Sequence, residues 1–244
     1  MNHIIKGIID FLLESLYPKR CAACDKVLLN FEKEIGFCRR CTKNIKLIGH
    51  NYCLKCGGPI LSAGKEYCDN CSKTNHAFNQ SKAIFRYMGD MKKSMYRFKY
   101  SNRRCYGKVY AKHAMKNYGT WIKSKGIEAI VPVPMYEAKK RRRGYNQAEV
   151  FAEALGELSG IPVCNGIVRR EIDTVAMKQL NRVKRKKNLL KAFILTGNDV
   201  QFRKVLIVDD IYTTGSTLNE VARVLKDGGV KEVYGLCVCV GEAQ

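Results

Sequence analysis

The sequence is short of acidic residues and has no long apolar run. Its 244 residues contain 22 Asp and Glu against 44 Lys and Arg, which leaves a formal net charge of +22. Such a charge is extreme for an enzyme of small metabolites and favours a polyanion, such as nucleic acid, as the partner. No apolar stretch is long enough to cross a bilayer, so we expect no membrane span.

We also expect no secretory leader. Lys6, Asp10 and Glu14 interrupt the apolar residues at the start of the chain, and no small-residue cleavage site follows them. We therefore expect the 12 cysteines to be reduced. The apolar residues instead recur at helical spacing, which predicts an amphipathic helix over residues 1–18 that packs on the rest of the protein. A helix lying on a membrane surface is the alternative.

Two common nucleotide-binding loops are absent, because no G-x-G-x-x-G follows an apolar strand and no Gly-Lys precedes Ser216. What the chain has is Val205–Val208, four apolar and mostly β-branched residues, followed at once by Asp209 and Asp210. The apolar run predicts a buried parallel strand. The apolar spacing between residues 216 and 226 predicts the helix that comes after it.

The junction of this strand and helix predicts a site for a ribose 5-phosphate. The start of a helix offers unpaired N–H groups and partial positive charge to a phosphate. Hydroxyl groups and a glycine that allows close approach complete the cradle: Thr213, Thr214, Gly215, Ser216 and Thr217. Asp209 and Asp210 suit ribose hydroxyls or Mg²⁺. The block 205–217 resembles the thirteen-residue motif of type I phosphoribosyltransferases, whose ligand is phosphoribosyl pyrophosphate (PRPP).

Four Cys-x-x-Cys pairs lie near the start of the chain. They are Cys21/Cys24, Cys38/Cys41, Cys53/Cys56 and Cys68/Cys71. Each pair places two thiolates on one turn, and two pairs complete a closed Cys₄ zinc site. The pattern predicts two structural Zn²⁺ ions, because a segment this short cannot build a sufficient core without metal. It leaves open whether the pairs combine successively or in a cross-braced order.

Basic residues concentrate in two segments. Residues 82–143 hold 18 Lys and Arg against 3 Asp and Glu, and residues 174–204 hold 9 against 1. Within them we predict a basic loop over 139–147, after a first core strand over 127–134. Cations can neutralise pyrophosphate or a DNA backbone, and tyrosines can stack on bases. We predict contacts with pyrophosphate or with DNA, and the sequence does not decide between these two ligands. The residues are Lys99, Tyr100, Arg141, Arg142, Arg143, Tyr145, Asn146, Gln147, Arg182 and Arg185.

These motifs together resemble the ComF/ComFC family of competence proteins over nearly the whole chain. The resemblance rests on their order: the apolar N-terminal helix, the four cysteine pairs, Phe98-Lys99-Tyr100, Val131-Pro132-Val133-Pro134, Arg143-Gly144-Tyr145-Asn146-Gln147, Asn188 and the block 209–217. One departure is Met177, which stands where many relatives carry a glutamine.

The resemblance implies an α/β fold. Residues 76–244 would form a type I phosphoribosyltransferase-like parallel sheet flanked by helices, after the N-terminal helix (1–18) and the double zinc-ribbon domain (19–75). It also implies a cytoplasmic protein that binds and handles single-stranded DNA during natural transformation. The implied partners are an ATP-dependent DNA translocase and a recombination mediator.

The bound ligand we expect is PRPP or a related sugar phosphate, with Mg²⁺, acting as a regulator. The alternative is an active phosphoribosyltransferase with an unidentified acceptor, for which the sequence identifies no catalytic residue. A salvage or repressor-like relative is disfavoured, because neither needs eight zinc-binding cysteines.

Overall fold

The computed structural model describes residues 16–60, 64–172, 192–197 and 200–241. The predicted N-terminal helix therefore lies almost entirely outside the described residues. The same holds for Arg182, Arg185, Asn188 and Met177. Across the described ranges, no helix combines the length and the apolar character needed to cross a membrane.

A parallel sheet of four strands forms the centre of the fold. The strands in chain order are β1 (Gln80–Arg86), β2 (Ala129–Pro132), β3 (Val168–Arg170), β4 (Phe193–Leu195), β5 (Lys204–Tyr212) and β6 (Glu232–Val240). The sheet has the order β1-β6-β5-β2, with every neighbouring pair parallel, while β3 and β4 form a separate antiparallel pair. The apolar run of β5 is explained by its central place, because helices cover both faces of a parallel sheet.

The helices of twelve or more residues cover the two faces of this sheet, and three short helices lie in the described part of the cysteine-rich segment. In chain order the helices are α1 (Glu32–Ile35), α2 (Arg39–Asn44), α3 (Asp69–Lys73), α4 (Gly89–Tyr100), α5 (Tyr106–Ser124), α6 (Glu137–Arg143), α7 (Gln147–Ser159) and α8 (Ser216–Asp227). Leu206 and Val208 of β5 share one apolar cluster with α4, α5 and α7. Val205 and Ile207, which alternate with them, share the other with α8, β3 and β4. The predicted helix after β5 is confirmed.

The basic loop predicted over residues 139–147 is wrong. Residues 137–143 form helix α6, because Glu, Ala, Lys and Arg are all strong helix formers and Gly144 ends the helix in the left-handed conformation, with φ 85°. Residue 147 already begins α7. The first core strand predicted over 127–134 exists as the shorter β2, whose residues are all buried although it lies at an edge of the sheet.

The cysteine-rich segment packs along the free edge of β1. The N–H of Ser81 donates to the carbonyl of Lys55 at 2.7 Å, and the N–H of Arg86 donates to that of Lys46 at 2.9 Å. The N–H of Ile48 donates in turn to the carbonyl of Ile84 in β1. Exposed strand edges invite unwanted pairing, so this segment protects the edge while it docks on the sheet. The boundary near residue 75 stays a prediction.

Candidate functional site

Two clusters of four cysteines form the metal centres. The first contains Cys21, Cys24, Cys38 and Cys41, and the second contains Cys53, Cys56, Cys68 and Cys71. Within each cluster the sulfur atoms lie within 4.8 Å of one another. The N–H of Cys38 donates to Cys21 Sγ at 3.3 Å, and the N–H of Gly58 donates to Cys56 Sγ at 3.4 Å. Four thiolates so placed fit tetrahedral zinc, and the successive order replaces the cross-braced alternative.

The predicted phosphate cradle lies at the carboxyl end of β5. Gly215 adopts the left-handed conformation with φ 76°, and α8 begins at the next residue. The hydroxyls of Thr214 and Ser216 are 2.7 Å apart, and both side chains are exposed. Asp209, Thr213, Ser216 and Thr217 line one small cavity of about 20 Å³. The cradle residues are therefore brought together at an accessible helix start, which is the geometry that suits a phosphate.

Asp209 and Asp210 lie side by side near the end of β5. Asp209 Oδ1 accepts the N–H of Asp210 at 2.7 Å, and Asp210 Oδ2 forms an ion pair with Lys99 Nζ at 2.9 Å. Burial and the charge of Asp210 raise the pKa of Asp209 to about 7. Burial by itself would lower the pKa of Lys99, because it disfavours the charged form. The attraction of Asp210 and Asp209 is stronger than this effect, so the pKa of Lys99 is raised. The site thus holds two carboxylates against one close ammonium group.

Sequence reasoning missed two residues here. Arg170 of β3 lies near enough for its charge to act on Asp209, although 38 residues separate the two in the chain. Tyr212 is buried, and its hydroxyl has no hydrogen-bond partner among the described residues. Lys99 was predicted to contact DNA or pyrophosphate, and the structure places it on Asp210. Nothing in the sequence pattern connects α4 or β3 with β5, so only the fold reveals these neighbours.

Tyr145, Asn146 and Gln147 are nearly or fully buried. The Tyr145 hydroxyl donates to the carbonyl of Phe98 at the end of α4, and Gln147 Nε2 donates to the same oxygen at 3.4 Å. Asn146 caps α7 by accepting the N–H of residue 148, and its Nδ2 donates to the carbonyl of Val133. These side chains hold α4, the end of β2 and the start of α7 together and are not accessible to a strand of DNA.

An exposed surface of aromatic and basic side chains lies beside the carboxylates. Tyr96 and Tyr100 are 63% and 61% exposed, with ring centroids 5.0 Å apart. The Arg143 guanidinium lies 4.8 Å from the centroid of the Tyr100 ring, and Arg141 and Arg142 are exposed on α6. We call these five residues the aromatic–basic surface. They offer stacking faces and phosphate ligands on adjoining helices.

Two family models match the chain. The model of the double zinc ribbon domain matches residues 12–72, and that of the phosphoribosyl transferase domain matches residues 133–244. A crystal structure of purine phosphoribosyltransferase from Pyrococcus horikoshii is 18% identical, with 54% of this chain and 73% of that chain covered and a TM-score of 0.35. That score is too low to support an argument, so the fold rests on the family model and the strand order.

Curated relatives match over most of their length. Competence protein F of Haemophilus influenzae is 35% identical over 224 residues, which cover 89% of this chain and 96% of that protein. Competence protein ComFC of Streptococcus pneumoniae is 30% identical, covering 80% of this chain and 84% of that protein. DNA utilization protein YhgH of Salmonella typhimurium is 26% identical, with 84% and 90% covered.

Proposed function

Because the chain belongs to the ComF/ComFC family of competence proteins, we propose that it binds single-stranded DNA during natural transformation and carries a separate site for PRPP or a related ribose phosphate. The names of the relatives, which refer to competence and to DNA utilization, support the first half. The phosphoribosyl transferase domain supports the second. The protein would act in the cytoplasm with an ATP-dependent DNA translocase and a recombination mediator.

The sugar-phosphate half is supported by the arrangement at the end of β5. The five residues 213–217 would bind the 5-phosphate through backbone N–H groups and hydroxyls. Asp209 and Asp210 would accept hydrogen bonds from the ribose hydroxyls or hold Mg²⁺ together with the ligand's phosphates. Both carboxylates offer hard oxygen ligands at a strand end, where open α/β sheets bind their ligands. The residues present therefore fit the magnesium complex of PRPP.

DNA is expected to bind outside this cradle. Deoxyribose lacks the 2-hydroxyl and so lacks the diol that a pair of carboxylates recognises. The aromatic–basic surface needs no such group, because stacking uses the face of any base and Arg binds any backbone phosphate. Tyr96 and Tyr100 are the stacking candidates, and Arg141 and Arg142 are the phosphate candidates. The two ligands would therefore occupy adjoining but chemically distinct surfaces.

One observation carries both halves of this proposal. Lys99 and Tyr100 are consecutive residues at the end of α4, yet the ammonium of the first pairs with Asp210 and the ring of the second lies exposed beside Arg143. Successive helical side chains point in directions about 100° apart, so one turn supplies both sites. No observation on the described residues favours the transferase alternative over binding.

The experiment compares Lys99→Met with Tyr100→Ala. Lys99→Met makes the phosphate site more negative, and we expect PRPP affinity in calorimetry to fall about 10- to 100-fold, the range for a charged hydrogen bond. Tyr100→Ala should instead weaken an oligonucleotide in fluorescence anisotropy by about 5- to 150-fold, which is the range for one stacked base. Lys116→Met, an exposed change on α5, is the control.

Failure of the parent to bind PRPP contradicts the ribose-phosphate half, and failure to bind the oligonucleotide contradicts the DNA half. Equal losses of both ligands in both variants would contradict the division between the two surfaces. Pyrophosphate release in the same mixtures, with bases or single-stranded DNA added, would reveal the transferase alternative.

A further inference from the structure

We propose that the second zinc site (Cys53, Cys56, Cys68 and Cys71) braces the phosphate loop, residues 213–217, so that zinc and the ribose phosphate strengthen each other's binding. The link consists of residues 76–79, which we call the strap, together with Asn219 of α8. This inference rests on the proposed ribose-phosphate site. It adds an internal connection between that site and one of the two metal centres.

The strap begins at the zinc site. His76 is buried, and its Nε2 lies 3.5 Å from Cys71 Sγ. The imidazole ring stacks on Phe78, with the ring centroids 4.8 Å apart and the planes 22° from parallel. Phe78 is fully buried. The ring of His76 is therefore fixed between a zinc-binding cysteine and the apolar core. Because the interior is closely packed, a movement of Cys71 would displace Phe78 as well.

From Phe78 the packing continues to the phosphate loop. The Phe78 and Tyr212 rings meet edge to face with centroids 6.5 Å apart. The Tyr212 hydroxyl lies directly beneath Gly215, where any Cβ would collide with it. Gly215 is the residue before α8, and its conformation aims the N–H groups at the start of that helix. The ring of Tyr212 thus supports the phosphate loop from below, at Gly215.

Asn219 supplies a second, polar connection. Its Oδ1 accepts the N–H of Ala77 in the strap at 2.6 Å. Its own N–H donates to the carbonyl of Gly215 at 2.8 Å, the first backbone hydrogen bond of α8. A single residue therefore joins the strap to the loop. Asn219 is half-buried, so the loss of its hydrogen bond with the N–H of Ala77 would leave a polar group unpaired and lower the stability of the fold.

The first zinc site makes different contacts. Around Cys21 and Cys24, the carbonyls of Ala22 and Ala23 and the side chain of Asp25 bond with α4 and with residues at the start of α5. The strap, in contrast, connects the second zinc site to α8. The two zinc ions therefore have separate structural roles, and the phosphate loop depends on the second.

The test is zinc release from the full chain, loaded with two zinc ions and challenged with a zinc-selective coloured chelator. Coupling of binding free energies is reciprocal, so a ligand that needs the brace must also tighten the binding of the metal that supports it, and we expect this tighter binding to arise from slower release of the metal. With saturating PRPP and Mg²⁺ we expect release of one zinc ion to slow about fivefold or more, while release of the other is unchanged.

A variant identifies the connection. Asn219→Leu keeps the size of the side chain but removes the acceptor for Ala77. We expect it to retain two zinc ions by elemental analysis and to bind PRPP at least about fivefold more weakly. PRPP should also no longer slow the release of either zinc ion from this variant. Asn117→Leu on α5, an exposed Asn whose amide donates within its own helix, is the matched control and should behave as the parent.

The outcomes separate this inference from the proposed function. If the parent binds PRPP but releases both zinc ions at unchanged rates, the brace is refuted and the ribose-phosphate site stands. Normal PRPP binding by Asn219→Leu refutes the route through Asn219. If the parent does not bind PRPP at all, the result contradicts both the ribose-phosphate site and the brace proposed to support it. Should Asn219→Leu fail to fold, the release experiment on the parent decides alone.

Discussion

Asp209 shows how a single buried residue sets the chemistry of the site. Its carboxyl group lies beside Asp210, and the ammonium of Lys99 forms its ion pair with Asp210. Burial and the neighbouring charge raise the pKa of Asp209 to about 7, so this carboxyl holds a proton near neutral pH more readily than an exposed aspartate does. Ribose hydroxyls or Mg²⁺ would relieve the repulsion between the two carboxylates.

The raised pKa has a consequence for stability. A carboxyl group with a higher pKa in the folded state than in the unfolded state contributes stability at low pH, and that contribution is lost as pH rises from about 4 through 7. Asp209→Asn should therefore raise the melting temperature of the ligand-free protein more at pH 8 than at pH 5. Asp227→Asn, at an exposed position of α8, is the control. An equal gain at both pH values would contradict the assignment.

At the scale of elements, α6 is the part of the aromatic–basic surface that carries exposed arginines. Arg141 and Arg142 point to solvent, while Arg143 donates to Gln147 Oε1 and lies over the ring of Tyr100. A helix fixes these cations at constant spacing, which a loop would not do. Arg143 is thus partly committed to the fold, and the two exposed arginines are the better probes of DNA binding.

Replacing Arg141 and Arg142 together by Gln should remove two phosphate contacts. For a single strand the slope of log affinity against log salt should become shallower by roughly 1.4 units. Fluorescence anisotropy of a labelled oligonucleotide across a salt series measures it. Arg203→Gln with Lys231→Gln removes the same charge from exposed residues at the opposite end of the sheet, and should leave affinity and slope nearly unchanged. Equal effects of the two double variants would show that only overall charge matters.

At the scale of the whole molecule, the zinc ribbons are built into the fold rather than attached by a linker. The first docks on α4 and the residues that lead into α5. Asp25 accepts from the Tyr106 hydroxyl at 2.9 Å and pairs with Arg103, and Ser94 donates to the carbonyl of Ala22. The second lies along β1 and behind the phosphate loop. Metal loss should therefore affect the sheet domain as well as the ribbons.

Elemental analysis should return about two zinc ions per chain, because each Cys₄ cluster fits one. Removal of both by a chelator should lower the melting temperature of the entire protein in a single transition, since the ribbons cover the β1 edge. A near-zero zinc content in folded, reduced protein would contradict the metal assignment. A melt in which the sheet domain is unaffected by the chelator would contradict the docking.

Asp25→Ala tests the docking without touching a cysteine. It leaves the buried Tyr106 hydroxyl and the half-buried Arg103 without their acceptor, which should cost about 1.5 to 3 kcal/mol of unfolding free energy. Denaturant unfolding measures this. Asp69→Ala removes an exposed ion pair with Lys65 and should cost less than about 1 kcal/mol. Similar losses in both variants would show that Asp25 does not join the ribbon to the sheet domain.

The sequence by itself determined the parts whose chemistry is local. The order of apolar residues, two carboxylates, hydroxyls and glycine predicted β5, the loop and α8, because strand, turn and helix propensities act over a few neighbouring residues. The Cys-x-x-Cys spacing predicted two four-cysteine sites for the same reason. It did not fix their pairing, since either order satisfies the same local spacing.

Tertiary structure decided which distant residues meet. Lys99 reaches Asp210 only because α4 and β5 pack across the same core. Tyr145 can be buried because its hydroxyl donates to a carbonyl at the end of α4. Residues 139–143 became a helix where a basic motif suggested a loop, because the run of good helix formers begins before it, at residue 137. Ala77 in the strap and Asn219, which it contacts, are more than 140 residues apart in the sequence. Such contacts depend on strand order, which no local pattern encodes.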